Sequence, residues 1–319
     1  MSRYRDPLPQ LSGDLFLSDA GLETDLIFNR GVEIRGFAAH TLLPDAAGRA
    51  AMRCYLRAFL ELARECDAGF ILDSQTWKAH PHWAGSLEET DVDLRKANHD
   101  SIAFISELRG EFSGVADDTR PIVLNAVIGP RGDAYTLDAP SGPGEAEEYH
   151  STQLGWLAET EVDMVTATTF TSADEAIGAV RAARRAGLPI VVSFTVETDG
   201  KLPAGASLDA AIRAVDDATE AGAEYFMVNC AHPEHFSHVF DDDSVKEGGW
   251  AHRLRGLRCN ASRRSHAELD ESETLDDGDP VEFGSQYQEL LARLPWINVV
   301  GGCCGSDLRH VTEIARAIT

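Results

Sequence analysis

The chain has 319 residues, 43% of them hydrophobic and 25% charged, which is the balance of a globular protein with a sizeable core and not of a disordered one. With 53 acidic against 28 basic residues the formal charge is −25, a field that repels phosphate backbones and anionic lipid, so nucleic acid and membrane surfaces are excluded as expected partners. No apolar run has the length of a membrane span, and the opening MSRYRDPLPQLSGD lacks the apolar stretch of a secretory signal, so a cytoplasmic protein acting on small molecules is expected.

Eight short β-rich runs are predicted, in chain order 15–18, 69–72, 121–127, 163–167, 189–194, 224–228, 256–260 and 296–300. Helical patterns lie between them, among them 49–66, 172–186, 207–221 and 286–293. Gly187 and Gly222 read as glycines that close helices in the left-handed conformation before the next strand. Strand and helix alternating over residues 1–319 predict parallel βαβ units in one domain, and eight such units close a (β/α)8 TIM barrel of the α/β class. Two acidic, Gly- and Pro-rich segments, 138–148 and 269–280, read as surface loops beside strand ends.

Active sites of such barrels lie at the C-terminal ends of the strands, so the polar residues closing each run are the candidates. In chain order these are Asp19 and Ala20, then Asp73, Ser74 and Trp77, then Asn125, Thr168, Glu197, and Asn229 with Cys230. Asn260 closes the seventh run, and the eighth ends in Gly301-Gly302-Cys303-Cys304-Gly305. Three thiols therefore arrive at one rim from strands six and eight. Zn2+ takes thiolate ligands, and a catalytic site keeps one of four positions open, which three cysteines would satisfy. Adjacent residues of a regular strand point to opposite faces, so Cys303 and Cys304 can share an ion only on irregular backbone, which the flanking glycines permit. Packing or a strained disulfide is the competing explanation for the adjacent pair. Cys54 and Cys66 read as buried apolar residues of a helix, and Cys259 as a strand residue turned toward the helices. The histidine-rich run HPEHFSH (232–238) is expected on an exposed loop and first turn after strand six, with an auxiliary role open for His232.

The segments SDAGLETDLIFNRG (18–31), MVNCAHPEHF (227–236) and NVVGGCCGSDLRHV (298–311) resemble those of the zinc-dependent homocysteine S-methyltransferases, which include betaine–homocysteine and S-methylmethionine–homocysteine enzymes. The resemblance implies a (β/α)8 barrel with zinc on Cys230, Cys303 and Cys304, and transfer of a methyl group from a sulfonium or quaternary ammonium donor to a small thiol, homocysteine giving methionine. It implies that Asp19 and Ala20 stand for the family's substrate-holding Asp-Gly-Gly, with alanine in place of the middle glycine. It also implies that Thr168 occupies the place of a glutamate that binds the substrate's amino group; a neutral hydroxyl cannot make the same charge-assisted bond, so either Asp19, Asp73 or Glu197 takes the ammonium or the acceptor is not homocysteine. Trp77 and Trp83 offer aromatic faces to an onium cation or form the wall. Two other readings stand beside this one: the same barrel acting on another thiol or selenol, or demethylating a natural sulfonium compound; and a non-enzymatic zinc-binding or thiol-sensing protein. The sequence leaves the assembly state open, a homo-oligomer among the options.

Overall fold

In the computed structural model, which describes residues 2–113, 120–132, 134, 142–240, 249–272 and 274–319, the predicted runs become one closed parallel barrel. Its strands are β1 (Phe16–Ser18), β2 (Gly69–Asp73), β3 (Ile122–Ile128), β4 (Met164–Phe170), β5 (Ile190–Phe194), β6 (Phe226–Asn229), β7 (Leu254–Cys259) and β8 (Val299–Gly302). Closure is made by Phe16 pairing with Val299 and Leu17 with Val300. The alternation of side chains along each strand divides the core in two. Phe16, Ile71, Val123, Met164, Val191, Tyr225, Met227 and Val299 fill the barrel with Leu8, while their strand neighbours pack outward on the helices. The N-terminal segment plugs the bottom: Asn298 Nδ2 donates to the carbonyls of Gln10 (2.8 Å) and Asp14 (2.6 Å).

One principal helix follows each strand: α1 (Ala46–Glu65), α2 (Asp91–Phe112), α3 (Pro143–Ala158), α4 (Ala173–Ala186), α5 (Leu208–Thr219), the short α6 (Pro233–Phe236), α7 (Pro280–Arg293) and α8 (Leu308–Ile318). Their starts follow from side-chain caps that satisfy the first amides. Asp45, Thr90, Ser172, Ser207, Asp279 and Asp307 each accept from a backbone N–H two or three residues further on. None of the helices among the described residues is long and apolar enough to cross a membrane.

Several local expectations are corrected. Gly187 does close α4 with φ +69°, but α5 ends in left-handed Glu220 and Ala221, and Gly222 serves close packing: a Cβ there would lie 2.9 Å from both the Thr219 carbonyl and Arg184 Cδ. Of the expected loop 138–148, residues 138–141 lie outside the described residues, and Pro143 onward is helix, proline at the first turn losing no hydrogen bond. Cys54 is exposed and Cys66 half-buried, because α1 turns Met52, Tyr55, Leu56, Phe59 and Ala63 inward instead. His232 and His235 are buried: His232 Nδ1 caps α6 by accepting from the Glu234 amide (3.2 Å), and His235 Nε2 lies 2.9 Å from the Arg263 carbonyl.

Candidate active site

At the C-terminal rim the strand ends surround a cavity of 580 Å³, into which Cys230, Cys303 and Cys304 all open. Their sulfur atoms lie within 4.8 Å of one another, with Cys230 Sγ and Cys304 Sγ 3.9 Å apart, and this is the metal-capable trio found among the described residues. Zinc–sulfur bonds of about 2.3 Å in tetrahedral geometry set sulfur atoms about 3.8 Å apart, so the donor set fits such an ion. None of the six cysteines is disulfide-bonded, which removes the disulfide explanation for the adjacent pair. The thiols also oppose one another's ionisation: hydrogen bonding to Cys230, burial and the Cys230 charge push Cys303 up to about 12, and Cys304 rises as well. A cation among them is what would let them ionise together.

Local backbone explains how they meet. Cys230 leaves β6 with φ +53°, a left-handed conformation that bends its side chain off the strand and over the rim. Its carbonyl is held by Asn260 Nδ2 (3.0 Å) and lies 2.6 Å from His266 Nε2. In the Gly-Gly-Cys-Cys-Gly turn, Gly305 has φ +77°, but Gly301 and Gly302 are needed for a different reason. A Cβ on Gly301 would lie 2.1 Å from Ser18 Oγ and 2.7 Å from the Asp19 carbonyl, and one on Gly302 2.0 Å from Ser306 Oγ. The turn is pressed against β1 and its following loop. Gly21 N–H donates to the Ser306 carbonyl (3.2 Å), and Gly305 N–H to Thr24 Oγ1 (3.2 Å).

The other candidates divide by position. Asp19, Ala20, Ser74, Trp77, Thr168 and Asn229 line the cavity. Ala20 has no positive φ, so its Cβ is accommodated where the family motif has glycine. Asn229 Nδ2 donates to Thr169 Oγ1 (2.8 Å) and points at Cys303 Sγ (3.9 Å), while its Oδ1 accepts from the Thr169 amide (3.0 Å) and Ser193 Oγ (2.6 Å). Trp77 Nε1 donates to the Thr168 carbonyl (3.3 Å), and the Lys78 ammonium stands 4.7 Å over the Trp83 ring and 5.6 Å from Trp77. The faces read as onium-binding are thus already shared with an internal cation. Asn125 is buried behind the wall, donating to Asp73 Oδ1 (2.7 Å). Glu197 does not line the cavity; it stands 3.4 Å from His266 Nδ1, whose other nitrogen faces the Cys230 carbonyl. Cys259 points outward into the core packed on the helices. The segment from Leu269, read as a surface loop, supplies cavity wall through Leu269, Ser272, Thr274, Leu275 and Asp276.

Two residues escaped the sequence reading. Arg258, within β7, lies on the cavity floor, where its guanidinium pairs with both Asp19 and Asp73 and donates through Nε to the Gly302 carbonyl (3.0 Å). The signal was available: if Cys259 faces the helices, its neighbour must face the barrel, and an arginine there requires acidic partners. Burial pushes Asp19 up to about 8, against the attraction of Arg258 and with the repulsion of Asp73. The second is Glu23, on the single turn Leu22–Thr24 after β1. It lines the cavity, and burial pushes it up to about 7.

The architecture and the rim cluster together define a (β/α)8 barrel protein with three cysteines gathered at its C-terminal rim. The family model for homocysteine S-methyltransferase matches residues 16–318, and the chain belongs to that family. Among curated relatives, rat betaine–homocysteine S-methyltransferase 1 is 26% identical over 184 residues, 54% of this chain and 44% of that protein. Methionine synthase of Mycobacterium leprae is 29% identical over 156 residues, 44% of this chain and 11% of that protein. The matches thus span less than half the length of these relatives. Of solved structures, the metallated form of the Escherichia coli homocysteine methyltransferase MmuM superposes with a TM-score of 0.74, covering 98% of this chain and 99% of that one at 14% identity, which shows the shared fold.

Proposed function

We propose that the protein is a zinc-dependent S-methyltransferase that moves a methyl group from a sulfonium or quaternary ammonium donor to a small thiol, homocysteine giving methionine. The observation that carries this reading is the convergence of Cys230, Cys303 and Cys304 on one point of the cavity at thiolate-ligand spacing. Family membership supports it. Cys230, Cys303 and Cys304 would hold the ion, which when bound supplies the positive charge that lets an incoming thiol lose its proton at neutral pH.

The chain's own groups define the rest. The cluster sits on the wall of a cavity large enough for two small molecules, so acceptor and donor meet in one enclosure and not on an open surface. The Asn229 amide aimed at Cys303 Sγ keeps that sulfur oriented while its other bonds fix it to β4 and β5. Glu197 acts at a distance, through His266 on the carbonyl of Cys230, and is a positioning residue in this reading. In the transfer the acceptor sulfur forms a bond to the methyl carbon while the bond from that carbon to the onium sulfur or nitrogen breaks. The bonding pair stays with the leaving atom, the donor departs neutral at that atom, and the thiol proton goes to solvent. No general base is needed, and no histidine is among the described residues that line the cavity.

The test is metal content beside a thiol-methylation assay with S-methylmethionine, S-adenosylmethionine, betaine and dimethylsulfoniopropionate as donors. Cys230→Ala, Cys303→Ala and Cys304→Ala are each expected to lose both zinc and turnover. Full zinc occupancy in all three variants would rule the assignment out.

A further inference from the structure

The cavity has four carboxylates among its described lining residues: Asp19, Glu23, Asp73 and Asp276. Three of them face a guanidinium. Asp19 and Asp73 share Arg258, and Asp276 lies 3.4 Å from Arg264 Nε while accepting from Ser262 Oγ at 2.6 Å. Glu23 makes no salt bridge with any described residue: Arg258 and Lys78 act on it only through their more distant charge, and neither is in contact with it. A carboxylate in a recess of this kind gains by receiving a cation from outside, because burial withholds the water that would otherwise solvate it.

Its placement is fixed with respect to the sulfurs. Glu23 rides on the turn Leu22–Thr24, and the residues on both sides of it are stitched to the cysteine turn. The Thr24 hydroxyl donates to the Gly21 carbonyl (3.0 Å) and accepts from the Gly305 amide (3.2 Å), and Gly21 donates to the Ser306 carbonyl (3.2 Å). The carboxylate and the thiol cluster therefore belong to one rigid patch, as required if they are to hold two ends of a single small molecule. The other candidates for an ammonium site do not meet these conditions. Asp19 and Asp73 are already engaged by Arg258, Glu197 lies off the cavity, and Thr168 carries no charge.

We propose that Glu23 is the specificity-determining residue of this site: it receives the ammonium group of an amino-thiol acceptor whose sulfur goes to the three-cysteine cluster, a role that the Asp19 position cannot fill in this chain because Arg258 occupies it. The proposal rests on the thiol-methyltransferase reading above and narrows its acceptor to thiols bearing a protonated amine at the reach of homocysteine. Arg258 is then part of the floor, not of the substrate contact.

The experiment compares homocysteine with 4-mercaptobutanoate, the same chain without the amino group, on the zinc-loaded full-length protein, reading Kd by calorimetry and KM by turnover, for wild type, Glu23→Gln and Glu23→Asp. A charge-assisted hydrogen bond of this kind corresponds to roughly ten- to a hundredfold in affinity. Wild type is expected to prefer homocysteine by that order. Glu23→Gln should raise the homocysteine Kd and KM by a similar factor with those of 4-mercaptobutanoate unchanged, and Glu23→Asp should recover part of the preference. Equal wild-type affinity for the two thiols, or an unchanged ratio in Glu23→Gln, overturns the role of Glu23 while thiol binding itself stands. Failure of both thiols to bind the zinc-loaded wild type overturns the methyltransferase reading and this inference with it.

Discussion

Arg258 brings a side chain with five donors into the barrel mouth, and only 15% of it remains exposed, with Asp19 and Asp73 at 4% and 9%. Taking a guanidinium and two carboxyl groups out of water is costly, and the arrangement is stable only while each finds its partner. Arg258→Met is therefore expected to lower the unfolding free energy by about 3–5 kcal/mol, because two carboxyls are left buried without a cation. Replacing all three, Arg258→Met with Asp19→Asn and Asp73→Asn, should recover much of that loss. Urea unfolding of the single and triple variants checks this, and a single variant as stable as wild type would show that the triad contributes nothing to the fold. The same residue shows how far the sequence could be read. Cys230, Cys303 and Cys304 were legible because each closes a predicted strand, where barrel chemistry collects. Arg258 lies inside the run 256–260, and its importance comes from Asp19 and Asp73, which are distant in sequence and adjacent only once the barrel closes.

Whole strands and helices were legible from period and caps, whereas the reason for particular glycines was not. Gly301 and Gly302 looked like sources of unusual dihedrals, yet what they provide is room for β8 to lie against the loop after β1, a contact with no local signature. Short capped turns carry a similar hidden constraint. The turn Pro81–Trp83 after β2 is capped by His80, whose Nδ1 accepts from the His82 amide (3.1 Å) while its Nε2 faces the Tyr149 carbonyl (2.9 Å). That pattern uses one nitrogen as acceptor and one as donor, so protonation would set two N–H groups against each other. Burial accordingly pushes His80 down to about 4. With an unfolded value of about 6.5, the unfolded chain binds this proton first as pH falls. The stability that neutral His80 contributes is complete above about 6.5 and is lost as pH drops toward 4. Comparison with His80→Gln isolates the effect, since all other titrating groups are common to both proteins. The wild-type advantage in urea unfolding should shrink between pH 7.5 and pH 4.5, and a constant difference would refute it.

At the scale of the molecule the barrel has to hold a formal charge of −25 on one closed surface. Two electrostatic contributions oppose each other there. Ion pairs such as Arg57 Nη1 to Glu111 Oε2 (2.9 Å) and Arg53 Nη2 to Glu107 Oε2 (3.0 Å) tie α1 to α2 and are weakened by salt. Such exposed pairs are each worth at most about 1 kcal/mol, and many contribute nothing measurable. The excess of carboxylates over cations repels itself across the whole surface, and that repulsion is also weakened by salt, in the direction that favours the folded state. Even with every basic residue paired to one acid, the unpaired acids remain in the number of the net charge, so repulsion is the larger effect. Raising sodium chloride from about 10 mM to about 150 mM shortens the screening length from about 30 Å to about 8 Å, which is less than the width of the barrel. The thermal midpoint is therefore expected to rise over this range, by about 1–2 °C for each 1 kcal/mol of repulsion removed in a chain of this size. Scanning calorimetry at fixed pH across that salt series decides the matter: a midpoint that falls with salt would mean that the surface ion pairs, and not the acidic excess, dominate the electrostatics of the fold.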